Sequence, residues 1–114
     1  MSQQSPIFSK TYDFLLWTLN RTENYPKSER FRLAKRLEDS LFGFHECLLA
    51  ATRPAQTRAS LAQADLELDK ARFYIRLSHA RKLLDAKQYE YAVNALTEIG
   101  RLLGGWLKSL PSLP

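Results

Sequence analysis

Residues 57–84 read Thr57-Arg-Ala-Ser-Leu-Ala-Gln-Ala-Asp-Leu-Glu-Leu-Asp-Lys-Ala-Arg-Phe-Tyr-Ile-Arg-Leu-Ser-His-Ala-Arg-Lys-Leu-Leu84. At about 100° per residue, two apolar seams run along this stretch on nearly opposite sides. One is Leu61, Ala64, Leu68, Ala71 and Ile75, and the other is Leu66, Phe73, Leu77, Ala80 and Leu84. A helix that is apolar on two sides needs two things to pack against. A bundle core within a 114-residue monomer supplies one of them, so the second seam predicts a contact between subunits. Ser60 and Gln63 have capping-box spacing near the start of the stretch.

Three further pieces with helical period flank it. The first runs over about 6–21, with Ser5 as N-cap and Pro6 at the first helical position. Its expected core face is Phe8, Tyr12, Leu15 and Leu19. The second runs over about 26–51, where Ala34, Leu37, Leu41, Phe44, Leu48 and Ala51 alternate at spacings of three and four. At 1.5 Å per residue that helix is ~39 Å long. Phe42 and Leu49 lie off its core seam and add to the expectation of a subunit contact. The fourth runs over about 87–108 behind an Asp85/Gln88 capping box, with Ala92, Leu96, Ile99, Leu103 and Trp106 as its stripe. Short links make sequential helices antiparallel, and no alternating strand pattern occurs. The fold class is all-α, an elongated antiparallel up-down four-helix bundle forming one domain over 1–114.

Composition agrees with this class. Four Gly and five Pro are too few for a turn-rich all-β fold, and one Cys excludes a disulfide framework or a multi-Cys metal site. The opening Met1–Ser5 lacks the basic and apolar regions of a secretory signal, and no apolar run is long enough for a membrane span. A cytoplasmic protein with Cys47 reduced is expected. Pro111 and Pro114 bar further helix at the tail. Gly100 and Gly104, four apart, each cost about 1 kcal/mol against Ala in a helix, which predicts close backbone approach or a frayed last turn.

The unusual quantity is charge: 17 Lys and Arg against 12 Asp and Glu give +5. Residues 1–25 are neutral and 26–52 carry five basic and four acidic groups. Residues 53–84 carry seven against three, and 85–114 balance three against three. The excess is therefore expected on the third helix and its leading loop. Lys27, Arg30, Arg32, Lys35 and Arg36 cluster at the start of the second helix. An antiparallel neighbour would bring Arg81 and Lys82 beside them, a positive patch able to hold phosphates. Aromatic residues do not interleave with it, so binding is expected to be backbone-directed and salt-sensitive.

Other chemistry finds little support. His45 and Cys47 are too close in sequence to share a helix face, no carboxylate completes a ligand set, and Gly104-Gly105 follows no strand. No metal, cofactor or catalytic residue is expected. The one enzymatic pattern is Arg72 and His79, whose spacing resembles the Arg-His motif of HEPN-type helical ribonucleases. Asp65, Asp69, Arg72, Arg76 and His79 form a polar stripe between the two apolar seams. Ion pairing within the helix and between subunits, Asp69 with Arg72 three apart, equally accounts for it.

Three segments carry a more specific likeness: Glu98-Ile-Gly-Arg-Leu-Leu-Gly-Gly-Trp-Leu-Lys-Ser109, Tyr25-Pro-Lys27 with Arg30 before the long helix, and Leu66–Arg72 leading into Phe73-Tyr-Ile-Arg-Leu77. Together they resemble the accessory variability determinant (Avd) proteins of diversity-generating retroelements, over about residues 8–109. The Gly-Gly-Trp-Leu-Lys segment is the most specific part. The resemblance implies a small, basic, non-enzymatic protein that assembles as a homopentameric barrel of four-helix bundles. It implies binding to the element's reverse transcriptase and to RNA or cDNA, in support of mutagenic cDNA synthesis. Related bundles encoded in intervening sequences of ribosomal RNA genes share the fold and length and imply a structural or RNA-binding role. Candidate phosphate contacts, chosen by charge clustering, are Arg32, Lys35, Arg36, Arg72, Arg76, Arg81 and Lys82.

Overall fold

The computed structural model describes residues 5–112 as four helices: α1 (Pro6–Thr22), α2 (Lys35–Ala51), α3 (Thr57–Ala80) and α4 (Ala86–Lys108). The readings of Met1–Gln4 and of Pro114 lie outside the described residues. A 3-10 turn (Lys27–Glu29) and a π-helical turn (Arg30–Ala34) lead into α2, and a second 3-10 turn (Pro54–Gln56) leads into α3. The second helical piece is therefore three geometries end to end, where one continuous helix was expected. Its core seam is nonetheless the predicted one, with Ala34, Leu37, Leu41, Phe44, Leu48 and Ala51 all buried.

Each helix packs against two others, α1 and α3 each touching α2 and α4. Contacts fix the antiparallel sense. Phe8 near the start of α1 meets Trp106 at the end of α4, and Thr22 at the end of α1 donates to Glu38 near the start of α2 at 2.5 Å. Arg81 after α3 donates to Glu29 before α2 at 2.9 Å. The result is an elongated up-down bundle, 49 × 24 × 23 Å. Its core follows the α3 seam Leu61, Ala64, Leu68, Ala71 and Ile75, none more than 1% exposed. Burying a Leu or Ile side chain so completely contributes about 1.5–3 kcal/mol.

Several local expectations change. The buried face of α1 is Ile7, Phe8, Thr11, Phe14, Thr18 and Thr22, and Tyr12 stands 68% exposed. Apolar residues ring this helix, so their period alone does not choose a face; three slim threonines line the buried one, and Tyr12 keeps its hydroxyl in water. Ser5 does occupy the N-cap with Pro6 at N1, but its side chain makes no capping bond. The Ser60/Gln63 capping box does not form, because α3 has already begun at Thr57. Thr57 Oγ1 instead donates back to the Ala51 carbonyl at 2.8 Å. The Asp85/Gln88 box closes as expected, at 2.8 and 2.9 Å.

Helix α3 stops at Ala80, four residues short of Leu84. Lys82 takes φ 65°, its amide donates to His79 O at 3.0 Å, and the Leu83 amide donates to Ser78 O at 2.8 Å. These two bonds are a Schellman closure with lysine where glycine is usual. Leu84 then turns inward and is buried, while Leu66 and Phe73 of the second seam stand 50% and 54% exposed. Of the two glycines expected to allow close approach, only Gly100 meets a neighbour, the Arg72 guanidinium; a Cβ on Gly104 would meet nothing within 4 Å.

Candidate nucleic-acid interface

The end of the bundle where α1 and α3 finish and α2 and α4 begin is built from residues 21–39 and 76–88. These hold ten of the 17 basic and five of the 12 acidic residues, so this end carries +5 and the remainder, seven against seven, is neutral. The charge excess expected along the third helix is thus divided. Arg53 and Arg58 lie at the opposite end, where Arg58 donates to the Pro111 carbonyl. Antiparallel packing, with the short α3–α4 link, is what gathers four chain segments of basic residues onto one end.

A buried carboxylate organises it. Glu29 is 2% exposed and accepts from Arg81 Nε at 2.9 Å, while Arg32 Nε stands 3.4 Å from its other oxygen. Both arginine side chains remain more than half exposed. The predicted meeting of the two basic clusters therefore occurs, with an acid between them. Tyr25 and Ser78 stand beside Glu29. Burial pushes the Tyr25 phenol above its ordinary value, Ser78 pulls the other way, and the Glu29 carboxylate adds to the rise. A cleft of about 290 Å³ opens next to them, lined by Arg21, Asn24, Tyr25, Pro26, Lys82, Leu83 and Gln88. The Arg21 guanidinium lies 5.9 Å from the Trp17 ring centre, a cation–π distance.

The seven candidate residues separate into two groups. Arg32, Lys35, Arg36, Arg76, Arg81 and Lys82 share this end, and Arg72 alone falls outside it. Lys35 is paired with Asp39 at 2.7 Å, whereas Arg36, Arg76 and Lys82 make no ion pair among the described residues. Arg76 and Arg72 line a groove of about 210 Å³ between α3 and α4. Arg72 is held by Asp69 at 2.8 Å and presses on Gly100, so it belongs to the middle of the bundle. His79 stacks flat on Tyr89, ring centres 4.1 Å apart, and His45 meets the edge of Phe8 at 6.4 Å. The intrahelical Asp69–Arg72 ion pair expected from their spacing is formed.

Cys47 opens on a separate groove between α2 and α3, about 710 Å³, beside Glu46 and Glu67. Burial raises its thiol pKa, and the two carboxylates add to it, which leaves the thiol a poor nucleophile. Among the described residues no three His, Cys, Asp or Glu side chains stand together as a metal would need, and no helix is long and apolar enough to cross a membrane.

One functional candidate was missed. Phe31, between Arg30 and Arg32, is 78% exposed on the π-helical turn, so an aromatic does interleave with the basic cluster. The Arg-Phe-Arg triplet was the available signal. The expected helical register gave no reason to set it apart.

Fold and charge together define a small helical-bundle protein with one cationic end. The chain belongs to the bAvd-like family, which it matches over residues 6–110. Among solved structures, it is similar to a protein of unknown function from the S23 ribosomal protein family of Bacteroides thetaiotaomicron. The two superpose with a TM-score of 0.81 at 20% identity, over 90% of this chain and 96% of that one. At that identity the likeness shows the fold alone. No curated protein matches the chain in sequence.

Proposed function

We propose that the protein is a non-catalytic accessory factor of a diversity-generating retroelement. It binds the element's reverse transcriptase and, through phosphates, template RNA or cDNA, and so supports mutagenic cDNA synthesis in the cytoplasm. The observation that carries this reading is the family match over 6–110 in a chain whose whole net charge sits at one end. Self-association as a homopentamer is part of the proposal. Leu66 and Phe73, 50% and 54% exposed on the outer seam of α3, supply an apolar face for a second copy to cover, and Phe42 on α2 stands 41% exposed. Five copies would multiply the charge about fivefold on one particle, a much stronger attractor for a polyanion.

Light scattering tests the assembly: a mass near five times the 13.2 kDa protomer supports it. A monomer that fails to copurify with the reverse transcriptase contradicts it. A second reading, which the bundle fold accommodates equally, is a structural or RNA-binding bundle of the ribosomal-RNA intervening-sequence type. That reading shares the RNA binding but predicts no polymerase partner.

A further inference from the structure

Phe31 is the most exposed large hydrophobic side chain among the described residues. Arg30 and Arg32 adjoin it, and Lys27 and Lys35 lie about one helical turn before and after. Within 21–39 and 76–88 it is the only large hydrophobic that stands exposed among the described residues. Protein docking faces join several apolar side chains in one patch. The outer seam of α3 has that character; a single exposed ring with four cations close to it in sequence, of which Arg32 is held by Glu29 and Lys35 by Asp39, does not.

What fits a lone aromatic among cations is a ligand with a flat π face and negative charge on both sides of it. A nucleotide within a strand has this form: its base stacks on the ring and its flanking phosphates reach the basic side chains. A duplex keeps its base faces inside its own stack, so only an unpaired strand can use the ring. We propose that Phe31 is a stacking platform for one unpaired base and that the cationic end prefers single-stranded nucleic acid to duplex. This rests on the nucleic-acid reading of that end given above and adds the strand class it takes.

The test is fluorescence anisotropy with a labelled oligouridine and a labelled duplex of equal length. The native protein binds the oligouridine more tightly. Phe31→Ala weakens that binding about tenfold, as expected for one lost stack, and leaves duplex affinity and the salt slope unchanged. Phe31→Trp restores single-strand affinity. If Phe31→Ala leaves oligouridine binding intact, or weakens both ligands alike, the inference is overturned while salt-dependent binding leaves the phosphate reading standing. No binding of either ligand by the native protein overturns both. Should Phe31→Ala lower the particle mass with RNA affinity per protomer intact, the ring belongs to a protein contact, and the inference falls.

Discussion

Glu29 is the charged side chain whose position matters most to the cationic end. A carboxylate 2% exposed between Arg81 and Arg32 holds the start of the α2 segment against the end of α3. Removing it leaves two half-exposed arginines facing each other, without burying a lone charge. Glu29→Ala should therefore cost less than the ~3–5 kcal/mol typical of breaking a fully buried pair, about 1–3 kcal/mol in a urea midpoint. Tyr25 adds a pH dependence to the same cluster. Its folded pKa is raised chiefly by burial, so its contribution is complete below the unfolded value near 10.0 and falls as pH climbs through the higher folded value. Alkaline unfolding should begin at lower pH in the native protein than in Tyr25→Phe. None of this was readable from the chain, because whether Glu29 faces solvent depends on a turn geometry that local spacing does not reveal.

At the scale of elements, apolar period located every helix, and the core seams of α2, α3 and α4 came out residue for residue. Helix α1 did not, because eight apolar or aromatic side chains surround it and threonines take the buried stripe. The end of α3 was also missed, since no glycine marks it: Lys82 closes the helix at φ 65°. A left-handed residue with a Cβ costs about 1–2 kcal/mol, and glycine removes that cost. Lys82→Gly should accordingly raise stability by about 1 kcal/mol on denaturation and lower RNA affinity by losing a cation. A variant less stable than the native protein would mean the turn is not strained. The closure places a lysine among the residues that line the Arg21–Tyr25 cleft.

At the scale of the molecule, +5 spread over four segments becomes +5 on one end because the helices alternate in direction. The bundle itself was legible from spacing, and the meeting of the two basic clusters followed from the antiparallel order. What the chain did not show was that Arg72 belongs to the middle, tied to Asp69 and packed on Gly100. The exposed α3 seam remains the feature that a lone protomer does not use. The most direct test of the account is RNA affinity as a function of salt, for the native protein, for Arg36→Gln/Lys82→Gln, and for Arg101→Gln/Lys108→Gln at the other end. Native affinity should fall steeply with salt, and the slope of log K against log salt should flatten by about two in the first variant and stay unchanged in the second. Binding that is flat in salt, or equal flattening in both variants, would contradict a phosphate-binding cationic end.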